Sequence, residues 1–133
     1  MVLLPLIKLA EFVNPFTISP WEFKRPIHKD EVTSAIENKD FYFKHTEIGD
    51  CHRMTRKQHI FRIAYLTVNV SNVPVEIDVG VPELGFWPTD IMLDGHHRVA
   101  AALMRGDTTI AANVSGSLDY AKQIFGVDCS NND

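Results

Sequence analysis

The sequence predicts a small α+β domain, a mixed sheet with flanking helices, within its 133 residues. Three stretches carry the prediction. Val75, Glu76, Ile77, Asp78 and Val79 alternate apolar and polar side chains, the period of a strand with one buried face. Thr55 and Gln58 have the spacing of a capping box, and Ile60, Phe61, Ile63, Ala64 and Val68 follow at helical periods. Ile91, Met92 and Leu93 read as a short buried strand that turns through Asp94-Gly95 into a helix beginning His96-His97-Arg98. Strands and helices mixed in this order give α+β or α/β.

The remaining elements follow in chain order. Positions 2–9 read as a first strand, with Pro5 pointing to an edge or a bulge. Positions 14–26 hold three prolines with Trp21 and Phe23 among them, a loop with aromatic anchors rather than a linker. Asp30 is the expected N-cap of a short helix over 31–38, with Val32, Ala35 and Ile36 on one face. Positions 80–88 form a loop in which Phe86 and Trp87 fold over the core or line a cleft. In the helix after Gly95, Val99, Ala102 and Leu103 share a face, and Ala100, Ala101 and Ala102 allow close approach to a sheet. Gly106 is the expected stop. Positions 108–114 are β-prone, and Ser117 caps a last helix that Gly126 ends. One domain is expected over 1–127, with a frayed polar tail at 128–133.

Composition narrows the function classes. Apolar residues make up 45% of the chain, charged residues 23%, and the net charge is −4. Nucleic-acid binding by bulk charge is therefore disfavoured. Cys51 and Cys129 lie far apart, without the spacing of a zinc site or a CxxC pair, and read as free thiols of a reducing compartment. The apolar start holds Pro5 and Lys8, is too short to span a membrane and lacks the basic region of a signal peptide. The expected location is cytoplasmic, with no membrane partner.

The joint at 94–98 is the chemical focus. A glycine that lets a ligand approach the backbone, free N–H groups at a helix start and a fixed positive charge are what a phosphate binds. Asp94-Gly95-His96-His97-Arg98, followed by Ala101, Ala102 and Gly106-Asp107-Thr108-Thr109-Ile110, resembles the signature box of the ParB/sulfiredoxin superfamily. The upstream order of strand, loop, short helix and strand is similar to the amino-terminal domain of that superfamily. In its partition proteins the box binds the phosphates of a cytidine nucleotide. In its free serine kinases an Asp-Gly-His-His-Arg stretch belongs to a phosphotransfer site. In its sulfiredoxins a cysteine of the box does the chemistry, and His96 stands at that position here, which speaks against sulfinic-acid reduction. The helix-turn-helix and dimerisation tail of partition proteins find no room after the box, which speaks against sequence-specific partition by this chain.

The resemblance implies a nucleotide site at Asp94, Gly95, His96, His97 and Arg98, with ATP or CTP and Mg²⁺ as its cofactors. Each residue has an ordinary role as well. Gly95 could serve only a tight turn. Arg98 could pair with Asp94 or Asp107 instead of gripping phosphate. By analogy with the family, His97 is the ligand-facing histidine. Asp94 could hold Mg²⁺ or, the commoner role, cap the helix.

From His52 to Arg62 the chain carries four Lys/Arg and no acid. Arg53, Arg56 and Lys57 are either a solvated helix face or a patch for phosphate or nucleic acid. Glu11, Glu22 and Glu83 are candidate general bases without a spacing signal. Phe86 and Trp87 could stack on a nucleobase, though large aromatics are more often buried. Three functions follow: a nucleotide-binding domain with phosphotransferase or NTP-hydrolysing activity, a nucleic-acid-binding accessory protein of a plasmid or phage system, and a non-catalytic interaction domain that keeps the fold.

Overall fold

The structure, a computed structural model, describes residues 1–21, 23–43 and 54–130. It is an α+β fold built on a four-stranded mixed sheet. β1 (Val2–Pro5), β2 (Val75–Asp78), β3 (Met92–Asp94) and β4 (Thr109–Ser115) lie in the order β1-β4-β2-β3. β4 runs antiparallel to β1 and parallel to β2, while β3 is antiparallel to β2. Ala112 sits at the centre, opposite Val2 on one side and Val75 on the other.

The first strand is shorter than its composition suggests. It stops at Pro5, on the sheet edge, and the chain turns through one helical turn, α1 (Leu6–Leu9). Leu6 and Leu9 are buried together, three apart, a spacing that a helical turn satisfies and a strand does not. Val75, Ile77 and Val79 are buried as expected from their alternation. In β3 only Met92 turns inward. Leu93 is 63% exposed, because an edge strand with one face on the core presents alternate residues to solvent.

α2 (Lys29–Glu37) begins two residues earlier than expected. His28 is its N-cap, its backbone N–H donates to Glu31 Oε1 at 3.1 Å, and Asp30 lies within the first turn. α3 (Arg56–Val68) starts on the Thr55–Gln58 capping box: Gln58 N donates to Thr55 Oγ1 at 3.1 Å and Thr55 N to Gln58 Oε1 at 2.9 Å. α4 (His96–Arg105) ends at Gly106 in left-handed backbone, and α5 (Leu118–Phe125) is capped by Ser117 and stopped by Gly126. Among the described residues no helix is long and apolar enough to cross a membrane.

Two apolar clusters meet at α4. Val99 and Ala102 pack on the sheet core with Leu4, Val75, Ile77 and Phe125, whereas Ala100 joins Ile27, Val32, Ile60 and Ile63 of the helical layer. The alanines therefore admit α3 as well as the sheet. Cys129 is also buried in the sheet core, so packed structure runs at least two residues into the stretch expected to be a frayed tail.

Candidate functional site

The joint between β3 and α4 depends on one glycine. Gly95 has φ +125°, and a Cβ there would lie 2.5 Å from Cγ1 of Val75 on the neighbouring strand. Only glycine combines that backbone angle with that approach. Gly95 is also the N-cap of α4, which has no side-chain cap. Asp94 does not fill that role. Its carboxylate instead accepts from Arg98 Nη2 at 3.1 Å. Among the described residues no side chain accepts from the first N–H groups of α4, at the positive end of the helix dipole.

Successive residues on a helix point about 100° apart, and the three residues that open α4 go to three different places. His97 turns inward. Its Nε2 lies 2.8 Å from Nδ1 of His59 on α3, both rings are buried, and one hydrogen bond joins them. Trp21 stacks on both, with ring centroids 4.3 Å from His59 and 4.7 Å from His97. Burial holds the pKa of His97 well below 6.5, and the neighbouring His59, Arg62, His96 and Arg98 push the same way. His97 is a neutral side chain at pH 7.

His96 turns outward. It borders an open cleft of about 630 Å³, between residues 10–20 on one side and residues 87–91 on the other. Phe12, Val13, Pro15 and Ile18 line it with Trp87, Ile91, Tyr120 and Ile124, and Glu11, Asn14, Thr17, Ser19 and Asp90 supply polar groups. His96 Nε2 lies 3.3 Å from Asp90 Oδ2. A carboxylate only accepts, so Nε2 donates and Nδ1 keeps its lone pair. The other oxygen of Asp90 accepts the Met92 N–H at 2.9 Å, which fixes the carboxylate. Burial lowers the pKa of His96, against the opposing charges of Asp90 and Asp94. A neutral imidazole steered by a carboxylate can accept a hydrogen bond or a proton.

Arg98 takes a third direction. Nη1 donates to the carbonyls of Val73 and Pro74, each at 2.8 Å, and Nη2 to Asp94. These bonds tie the start of β2 to α4. Arg98 borders a separate small pocket with Arg105, Ala101 and Leu66, not the cleft.

The other expected residues are dispersed. Arg56 donates to both carboxylate oxygens of Glu31 at 2.6 Å and to Pro26 O at 2.9 Å, while Lys57 is exposed. Arg53, His52, Cys51 and Glu22 lie outside the described residues. Glu83 accepts from Ser117 Oγ at 2.7 Å. Phe86 and Trp87 are not buried, at 66% and 65% exposure, and of the two only Trp87 lines the cleft, edge-on to Tyr120. Among the described residues no three His, Cys, Asp or Glu side chains gather as a metal site, at Asp94 or elsewhere.

Two members of the site escaped the sequence reading. Asp90 gives no spacing signal with His96. His59 does give one, since it lies four residues before Ile63 on the buried face of α3, but the basic residues around it masked that face. No protein-family model, curated protein or solved structure matches the chain.

Proposed function

We propose that the chain is a nucleotide-binding domain of the ParB/sulfiredoxin type, which takes a ring into the cleft and a phosphate at the head of α4. The observation that carries this reading is the lining of the cleft. Phe12, Trp87 and Tyr120 offer faces for a ring, and His96, the first residue of α4, stands in the same wall beside an uncapped helix start. A cleft of about 630 Å³ is the size that holds a drug-sized ligand. The resemblance of the box at 94–98, whose His96 stands in the cleft wall, adds support. Phosphotransfer or hydrolysis at this site would draw on His96 for proton transfer, with Asp90 holding its tautomer. The basic stretch on α3 favours nucleic acid less, because Arg56 is committed to Glu31 and Pro26.

The test is a thermal-shift screen of adenine, cytosine and guanine nucleosides and their mono-, di- and triphosphates, with and without Mg²⁺. At least one should raise Tm, because a ligand that binds only the folded chain stabilises it. His96→Ala should remove most of the shift. Silence across the whole panel would sink the reading.

A further inference from the structure

We infer that Trp21 is a positioning residue of the cleft: its indole, seated on the buried His59–His97 pair, holds both the wall at 10–20 and the His96 ring. The seat is a platform of two imidazoles. Their planes are 16° from parallel and their centroids 5.0 Å apart, and the 2.8 Å hydrogen bond between facing nitrogens sets them edge to edge. The indole lies over both, at 25° to His59 and 23° to His97. Two fused rings are long enough to cover that platform, whereas a single benzene ring would cover half of it.

Trp21 does not itself line the cleft, but the two residues before it do. Ser19 ties them to it: its Oγ donates to Trp21 O at 2.9 Å and accepts the Trp21 N–H at 3.3 Å. The far end of the same wall is held by buried Val13 and Pro15 and by Phe12, edge-on to Phe125 at 6.0 Å. Between these ends Thr17 and Ile18 are exposed. The wall is thus a loop pinned at both ends, with Trp21 as the pin on α3 and α4. His96 meets the same indole edge-on, at 6.4 Å and 65°. Its hydrogen bond to Asp90 selects the nitrogen that carries the proton but leaves the ring free to turn about that bond. The contact with Trp21 restrains the ring plane, and with it the direction of Nδ1. It also helps to bury the ring. Burial lowers the pKa of His96, opposed by Asp90 from the loop before β3 and by Asp94 at the end of β3.

The coupling holds whatever the cleft takes, and its test needs no ligand. NMR of the full chain across a pH series follows the imidazole of His96, which carries its proton on Nε2 and titrates below 6.5. Trp21→Leu should raise that pKa by about half a unit or more, because water reaches a ring still faced by Asp90 and Asp94. Trp21→Phe, which covers half the platform, should give a smaller rise. His59→Gln removes part of the platform and should move His96 in the same direction. In a Trp21→Leu background that second move should shrink by about half or more, since the indole that carries it is gone. A His96 pKa that Trp21→Leu leaves in place or lowers, with the urea midpoint reduced, means that the indole only packs, and overturns the proposal. A His59→Gln effect that Trp21→Leu leaves undiminished overturns it as well. Where Trp21→Leu does not fold, Trp21→Phe decides, and an unmoved His96 pKa in that chain has the same consequence. Failure of every nucleotide to bind removes the nucleotide reading and leaves this coupling standing.

Discussion

His96 and His97 share a peptide bond and one ring neighbour, Trp21, which stacks on His97 and meets His96 edge-on at 6.4 Å, but otherwise their surroundings differ. His97 sits in a stack of three rings, bonded to His59 at 2.8 Å and covered by Trp21. His96 stands in the cleft wall and is steered by the exposed Asp90. One residue step rotates a side chain by about 100°, and with α4 held between α3 and the sheet that step sends His97 to α3 and His96 to the cleft. One imidazole fastens α3 to α4, and its neighbour faces the cleft. Residue type therefore assigns neither role. Of the two adjacent histidines at this helix start, His96 stands in the cleft wall and His97 is buried.

The change that would break the comparison most completely is Gly95→Ala, because Gly95 sets the direction in which α4 leaves the sheet. A methyl group would sit against Val75 in a backbone conformation that side chains rarely adopt. Strain of about 1–3 kcal/mol and overpacking of a similar size combine to about 4 kcal/mol. That is much of the stability of a small domain. Urea denaturation should show it, and a loss below about 1 kcal/mol would mean that the joint relaxes freely.

His97→Ala comes next. It leaves a cavity under Trp21 and removes the partner of His59 Nδ1, for a loss of about 2–4 kcal/mol in the same assay. An unchanged urea midpoint would contradict the fastener role. In the wild-type chain acid should act on the same contact. The unfolded chain protonates His97 near 6.5, and the folded chain does so only well below that. The unfolded state thus binds more protons over that interval, so stability is complete above 6.5 and falls as the pH drops below it. A second fall should follow at lower pH. Hydrogen bonds from Arg56 hold the Glu31 carboxyl at about 2 instead of 4.5, and that contribution, complete above 4.5, is lost between 4.5 and 2. Urea midpoints across a pH series should show the two steps, and the first should flatten in a His97→Gln chain. Stability that rose between 6.5 and 5 would reverse the assignment.

What the sequence made legible was local. The Thr55–Gln58 box, the Ser117 cap, the stop at Gly106 and the alternation of Val75, Ile77 and Val79 depend on neighbours within a few residues, and each stands where its pattern says. What escaped was decided at long range. Arg98 finds acceptors at Val73 and Pro74, some 25 positions back, which no spacing around the box reveals. Leu93 faces solvent because β3 took the sheet edge, and Trp87 stays exposed beside Tyr120, on an element that follows two strands later. The box could be located from sequence, but the three directions its side chains take could not. Those depend on α3 and the sheet holding α4 from both sides.

The smallest expected effect sharpens the comparison most. His96→Ala should cost little stability, about 0.5 kcal/mol or less, because its bond to Asp90 is long and lies at the surface of an open cleft. Its chemical consequence should be large by contrast. The variant should keep the folded spectrum and a near wild-type urea midpoint and lose its response to the cleft ligand, while His97→Ala shows the opposite profile wherever it remains folded. Measured side by side, the pair forms a double dissociation that neither residue could provide alone. A His96→Ala chain destabilised as much as His97→Ala would show that both imidazoles are fasteners, and the role proposed for His96 would fall.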